Sequence, residues 1–462
     1  MNSIQLISPV DGSLYAERPL TSSQALDQAL RAARDAQRDW RQLPVEARAL
    51  YCLKAVEAML AMQEQIVPEL AWQMGRPVRY GAGELRGFAE RANHMISIAS
   101  EALADVVPPP IDGFKRYIRR EPLGTVLVVA PWNYPYLTAV NAIIPALMAG
   151  NAVLLKHASQ TLLVGERFAQ AFRTAGLPDG LFQNLVLDHG QTAALIASGH
   201  VQQVNFTGSV HGGQLMESAA AGHFIGMGLE LGGKDPAYVR ADANLQHAVD
   251  NLVDGSFFNS GQSCCGIERI YVDQAIYPAF VEAFVELTRQ YVLGNPLQEA
   301  TTLGPLVRTS AATFVRQQIA AACAGGARAL IDPASFTANA VDSPYLAPQV
   351  LVNVDHGMAV MREESFGPVV GIMPVSGDEQ AVGLMNDSPF GLTASLWSQD
   401  LARCEELGQQ IEAGTLFMNR CDYLDPALAW TGVKHSGRGV SLSRIGYEHL
   451  TRAKSFHLRH SL

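Results

Sequence analysis

Residues 124–156 read Gly-Thr-Val-Leu-Val-Val-Ala-Pro-Trp-Asn-Tyr-Pro-Tyr-Leu-Thr-Ala-Val-Asn-Ala-Ile-Ile-Pro-Ala-Leu-Met-Ala-Gly-Asn-Ala-Val-Leu-Leu-Lys. Between Glu121 and Lys156 there is no charged residue, and a run of that length is long enough to span a bilayer. Pro131, Pro135 and Pro145 interrupt it, as do Gly124 and Gly150. The stretch therefore reads as a buried unit: a strand over 124–130, a loop, a helix over 137–149 and a second strand over 152–156. Membrane insertion is not expected.

The same alternation continues outward. A helix runs from about Leu162 to Ala175 and stops at Gly176-Leu177-Pro178. The strand-like Gln203-Val204-Asn205-Phe206 then meets Thr207-Gly208-Ser209. Strands alternating with helices over short connections predict an α/β domain with a largely parallel sheet. Beyond residue 230 the pattern repeats, with strands near 269–273, 349–353 and 368–374 and helices at 277–292 and 310–325. Two α/β lobes with a cleft between them follow, and clefts of this kind commonly hold cofactors. Upstream, residues 24–62 and 80–104 have the spacing of amphipathic helices. Val106-Val107-Pro108-Pro109-Pro110 marks a stiff connection into an exposed strand near 115–122, an arm.

Composition narrows the class. The chain has 462 residues, 48% hydrophobic and 17% charged, enough to bury a large core. A net charge of −10 does not suggest a nucleic-acid surface. The six cysteines are scattered with no C-x-x-C, which fits a reducing cytoplasm and neither a disulfide framework nor a metal site. Met1-Asn2-Ser3-Ile4-Gln5 lacks the pattern of a signal peptide, so a cytoplasmic protein is expected.

Within the second lobe lies Phe258-Asn259-Ser260-Gly261-Gln262-Ser263-Cys264-Cys265-Gly266-Ile267-Glu268-Arg269. A cysteine in such a turn can present its thiol and a free backbone N–H, as an acyl-forming nucleophile requires. A buried core cysteine is the other reading, and these residues alone do not choose. Four further segments accompany it: Pro131-Trp132-Asn133-Tyr134-Pro135, Phe206-Thr207-Gly208-Ser209, Leu229-Glu230-Leu231-Gly232-Gly233-Lys234 and Glu364-Ser365-Phe366-Gly367-Pro368. In this order and spacing they resemble the aldehyde dehydrogenase superfamily, from Ser8-Pro9-Val10-Asp11-Gly12 to Lys434-His435-Ser436-Gly437.

The resemblance implies oxidation of an aldehyde to an acid with NAD or NADP. Cys264 matches the nucleophile, Asn133 and the Cys264 N–H the oxyanion donors, and Glu230 the base that activates water. Cys265 is needed by no step. Lys156, Ser159, Gly208, Ser209, Trp132, Glu364 and Phe366 match cofactor positions, although no G-x-G-x-x-G loop is present. Residues 1–106 and 123–231 would form the cofactor-binding domain and 232–431 the catalytic domain. Residues 107–122 and 447–462 would form a small β oligomerisation arm, joined by a return segment at 432–446. Such arms pair between subunits in the family, so a homodimer or homotetramer is expected.

Departures from the family pattern bear on specificity. Where members preferring NAD often carry Glu, three residues after Lys156, this chain has Ser159, so NADP should be tolerated. Eight residues after Asn133, where relatives acting on succinate semialdehyde often carry Arg, it has Asn141, which disfavours a dicarboxylic semialdehyde unless another arginine substitutes. Tyr134 and Trp430, with Tyr423 and Cys421 nearby, suggest an apolar or aromatic-walled tunnel. The region Gly439-Val440-Ser441 lacks the family's second acidic residue, which leaves Glu230 to act alone. A CoA-acylating dehydrogenase is the alternative reading, and Glu230 argues against it. An inactive structural relative is another, and the intact set Asn133, Glu230, Cys264 and Glu364 argues against that.

Overall fold

In a computed structural model, which describes residues 3–461, the charge-free run forms the strand Thr125–Val129, the helix Pro135–Met148 and the strand Ala152–Lys156. Both strands are buried at every position. A strand covered on both faces reads as a continuous apolar run rather than an alternating one. They pair in parallel, from Thr125 opposite Ala152 to Val129 opposite Lys156. Pro135 starts the helix, at the position where a missing N–H costs nothing. No helix among the described residues is long and apolar enough to cross a membrane.

The first sheet has six strands, in the spatial order Gly437–Arg438, Gly226–Glu230, Gln203–Thr207, Thr125–Val129, Ala152–Lys156, Phe182–Asn184. All neighbours are parallel except Gly437–Arg438, which returns antiparallel beside Glu230. Chain order reverses between Thr125–Val129 and Gln203–Thr207. In open α/β sheets, ligands bind beyond the carboxyl ends of the strands at such a reversal. Trp132 and Asn133, Lys156, Gly208 and Ser209, and Glu230 all stand at those carboxyl ends.

The second sheet has seven strands, in the order Arg328–Ala329, Gln349–Val352, Val369–Val375, Ile267–Asp273, Asp235–Val239, Thr393–Trp397, Thr415–Met418. Here the functional segments precede their strands. Gly232-Gly233 leads into Asp235–Val239, Cys264 into Ile267–Asp273, and Glu364 into Val369–Val375. The carboxyl edge of one sheet thus meets the amino edge of the other.

Several expectations change in detail. The helix expected over 24–62 divides into Ser23–Trp40 and Val45–Leu60, because Pro44 cannot continue a helix from the preceding turn. The helix Gln63–Met74 has no counterpart in the sequence reading, since Pro68 lies inside it. The helix expected over 277–292 stops at Thr288. Phe114–Pro122 and Thr451–Arg459, the segments read as an arm, pair with each other, antiparallel over nine residues. Among the described residues no further strand joins this two-stranded sheet, and Val106 makes a single antiparallel bridge to Ile118 on its edge. Met1 and Asn2 of the leader-free reading, and Leu462 at the end of the expected arm, lie outside the described residues.

Candidate active site

The cysteine turn begins in backbone strain. Asn259, Ser260 and Gly261 follow one another with φ of 54°, 57° and 70°, a left-handed run that two non-glycine residues adopt only under constraint. The constraints are visible. Asn259 Nδ2 donates to the carbonyls of Asn133 and Gln262, each at 3.2 Å, and Ser260 Oγ donates to the Gly304 carbonyl at 2.8 Å. Gln262 Oε1 accepts from the Val307 N–H at 2.8 Å. This scaffold presents Cys264 half-buried, with its N–H making no backbone hydrogen bond among the described residues.

Asn133 reaches the same turn from the first sheet. Its Nδ2 donates to the Gln262 carbonyl at 3.1 Å. The Asn133 backbone is anchored by Arg76, whose Nη2 donates to its carbonyl at 2.6 Å and whose Nε donates to Asn259 Oδ1 at 3.3 Å. Arg76 in turn forms a buried ion pair with Glu84. Glu84 Oε1 accepts the N–H groups of Tyr136 and Leu137 at 2.9 and 3.0 Å, at the start of the helix Pro135–Met148. A carboxylate there satisfies orphan donors and complements the helix dipole. Both lobes are thus locked together around the amide and the thiol.

Glu230 has no second acidic residue beside it from the 439–441 region, but it has two hydroxyl partners. Its Oε2 accepts the Thr207 hydroxyl at 3.1 Å, and its Oε1 accepts the Ser441 hydroxyl. The Gly437–Arg438 strand pairs with Gly226–Glu230, and Trp430 and Ser441 exchange backbone hydrogen bonds of 2.8 and 2.9 Å, which places that hydroxyl. Burial raises the Glu230 carboxyl above the ordinary carboxylate range; Ser441, Thr207 and the charge of Arg91 pull it back. Glu230 lines both the cavity that ends at Cys264 and a second cavity behind it.

The two cysteines differ sharply. Cys265 is buried, and its thiol donates to Asp422 Oδ1 at 2.9 Å. Contact with the Cys264 side chain, then burial, then the Asp422 charge hold Cys265 well above the ordinary thiol range. It is a neutral thiol.

The sequence-assigned cofactor positions gather along the strand ends. Lys156 is buried, with no salt bridge among the described residues, and burial lowers its ammonium. Ser159 is exposed in the turn that follows. Gly208 donates to the Glu230 carbonyl at 3.0 Å, and Ser209 caps the helix Val210–Ala220 by accepting from Gly212 N–H at 3.1 Å. Glu364 Oε1 accepts from Gly233 N–H at 2.9 Å. Burial and the neighbouring charge of Glu268 push the Glu364 carboxyl up to about 8. Trp132 and Phe366 meet edge to face with centroids 5.6 Å apart. Glycine is required at two positions here. A Cβ on Gly232 would strike the Glu364 carboxylate, and one on Gly233 would strike the Cys264 carbonyl.

Tyr134, Asn141, Trp430 and Tyr423 all line the cavity that reaches Cys264. Cys421 does not; its thiol points at the Asn251 carbonyl, 3.5 Å away, behind the cavity wall. The wall is less apolar than expected, because Arg76, Arg91, Asp254 and Asp422 also reach it.

Sequence reading passed over the supports. Glu268 sits inside the quoted cysteine segment, pairs with Lys234, and accepts the N–H groups of Ser365 and Phe366 at 2.8 and 2.9 Å. A carboxylate leading into the buried strand Ile267–Asp273 was the signal for it. Arg76, Glu84, Arg91 and Asp422 carry no local pattern that would have marked them.

Comparison with known proteins agrees with this geometry. Residues 1–456 match the aldehyde dehydrogenase family. The chain is 32% identical to a succinate semialdehyde dehydrogenase [NAD(P)+] of Escherichia coli, over 95% of this chain and 94% of that one. It is 34% identical to a vanillin dehydrogenase of Pseudomonas fluorescens, over 97% and 92%. A crystal structure of an NAD-dependent aldehyde dehydrogenase from Sinorhizobium meliloti superposes with a TM-score of 0.95 at 31% identity, covering 100% of this chain and 92% of that one. The chain belongs to the aldehyde dehydrogenase family, as an NAD(P)-dependent enzyme.

Proposed function

We propose that this enzyme oxidises an aldehyde with an apolar or aromatic body to its carboxylic acid by hydrolytic catalysis. The Cys264 sulfur bonds to the aldehyde carbon, and the carbonyl oxygen becomes an oxyanion. The Asn133 amide and the unengaged Cys264 N–H donate to that oxygen, stabilising charge that exists only after attack. When bound at the strand ends, NAD(P)+ supplies the acceptor for the hydride leaving that carbon. Cys264 is then left in a thioester. Glu230 takes a proton from water, the water oxygen bonds to the thioester carbon, and the carbon–sulfur bond breaks to release the acid.

The observation that carries this reading is the convergence of Cys264 and Glu230, from the facing edges of the two sheets, on one cavity, with the Asn133 amide held beside the cysteine turn at the Gln262 carbonyl. The residues also suit a dinucleotide. Lys156 is a buried cation without a counter-ion among the described residues, and Gly232 permits close approach of Glu364. Lys156, Glu364 and Ser159 would bind ribose hydroxyls, Gly208 and Ser209 the pyrophosphate, and Trp132 with Phe366 the nicotinamide end. Ser159, neutral and able to donate, leaves room for the 2′-phosphate of NADP.

In this reading residues 1–106 and 123–231 hold the cofactor, 232–431 carry the nucleophile, and 432–446 return to support Glu230. The segments 107–122 and 447–462 form an arm that pairs with another copy, giving a homodimer or homotetramer. The test follows NAD(P)H absorbance with an aldehyde panel, with and without CoA. Turnover without CoA, releasing free acid, is expected; cofactor binding with no turnover on any aldehyde would overturn the proposal.

A further inference from the structure

In the cavity that reaches Cys264, an arginine without a salt bridge meets two buried polar groups that have no hydrogen-bond partner among the described residues. Arg91 enters from the helix Val78–Ala102. Its Nη1 donates to the Leu137 carbonyl at 2.8 Å and reaches Asn141 Oδ1 at 3.5 Å. Among the described residues it makes no salt bridge, whereas Arg76 beside it is paired with Glu84. Because Asn141 turns its oxygen to Arg91, its Nδ2 is left fully buried without a partner. The Tyr134 hydroxyl, on the same cavity, is also buried and unpartnered. Buried donors are nearly always satisfied, by protein, water or ligand.

Except for Asp254, the acidic groups of the cavity are otherwise engaged, Glu230 by the hydroxyls of Thr207 and Ser441. Asp422 accepts from Ser263 and Cys265, each at 2.9 Å. Glu84 is taken by Arg76 and the helix start, and Glu90 accepts the Tyr423 hydroxyl at 3.2 Å. Asp254 is exposed toward solvent at the rim. Between these groups the surface is apolar, from Leu137, Phe258, Leu424 and Trp430. A ligand filling this space must bring an apolar body and an accepting, negatively charged end.

We propose that Arg91, Asn141 and Tyr134 bind an anionic oxygen group, a carboxylate or a phenolate, at the end of the aldehyde opposite its carbonyl. The position eight residues after Asn133 is neutral in this chain, and the cation comes instead from a different helix. The guanidinium lines the same cavity as Glu230 and Cys264. This inference rests on the oxidation of aldehydes proposed above.

The test compares kcat/KM for 4-formylbenzoate with that for its neutral near-isostere 4-methylbenzaldehyde. A second arm measures 4-hydroxybenzaldehyde against 4-methoxybenzaldehyde across the ionisation of the phenol. The expected result is a preference of at least roughly tenfold for a charged member of one pair. Which pair shows it tells carboxylate from phenolate. Arg91→Gln should cut that preference by roughly 10- to 100-fold, Arg91→Lys should keep part of it, and Asn141→Asp should oppose it by adding a like charge. A wild-type enzyme that oxidises the neutral members as well as the charged ones overturns this inference alone. So does an Arg91→Gln variant that loses both members of a pair equally. No NAD(P)H from any aldehyde would overturn the enzymatic reading, and this inference with it.

Discussion

The two approaches to Cys264 are built from different materials. Toward the first sheet, Gly233 lies main chain against main chain at the Cys264 carbonyl, where no Cβ fits, and Gly232 lies against the Glu364 carboxylate. Toward the substrate cavity the wall is made of long side chains from separate segments, among them Arg91, Tyr134, Phe258, Tyr423 and Trp430. A backbone surface admits almost no substitution. A side-chain surface can be re-lined without moving the fold. The reaction is thereby fixed on one side and the choice of aldehyde left to the other. Relatives named for vanillin and for succinate semialdehyde, 34% and 32% identical to this chain, fit that division.

The comparison breaks first at the cysteines, where the largest effect is expected. Cys264→Ala should lower NAD(P)H production roughly 10⁴-fold or more while cofactor binding, followed by quenching of tryptophan fluorescence, persists. Cys265→Ala removes only a neutral thiol bonded to Asp422 and should stay within roughly tenfold of the parent. If the two variants exchange these outcomes, the nucleophile is misassigned. Glu230→Gln comes next, with hydrolysis slowed roughly 10²- to 10⁴-fold. Stopped-flow absorbance should then show a full NAD(P)H burst, one per site, followed by slow turnover. A lost burst would mean that Glu230 acts before hydride leaves rather than after.

A smaller effect belongs to the cofactor side. Ser159→Glu places a carboxylate where a 2′-phosphate would lie, so KM for NADP should rise roughly 10- to 100-fold while KM for NAD stays level or falls. Equal KM changes for both cofactors would remove Ser159 from the ribose site.

The same contrast explains what could be read from the chain beforehand. The strand ends were legible because a buried parallel strand is a local pattern, as in 125–129, and because its last residues fall at the sheet edge where ligands bind. Cys264, Glu230 and Asn133 each lie in a short segment that ends or begins such a strand. The supports were not legible, because their partners are remote. Arg76 reaches Asn133 across 57 positions, and Ser441 reaches Glu230 across 211. Asn141 was judged by its own neutrality, and the cation beside it comes from 50 positions away. Periodicity reports which face of an element is buried, but it does not report which distant side chain fills the hole.

The smallest effect tests one of those remote partners, Ser441. Burial already holds the Glu230 carboxyl above the ordinary range, and the Ser441 hydroxyl opposes that rise by donating to the ionised form. Ser441→Ala removes that donor and leaves Thr207 in place, so the Glu230 carboxyl should rise further. The base works only when ionised, and the activity it supports is lost as pH falls through its pKa. The acid limb of steady-state kcat should therefore move to higher pH, by about one unit if the bond is worth ~1.5 kcal/mol, with the high-pH plateau little changed. That shift should appear when hydrolysis limits turnover and be absent from the NAD(P)H burst, as the proposed role of Glu230 in activating water after thioester formation requires. A limb that stays put, or moves to lower pH, would mean that the Ser441 hydroxyl orients the carboxyl without stabilising its charge. A plateau that collapses would instead make Ser441 part of the machinery that delivers water.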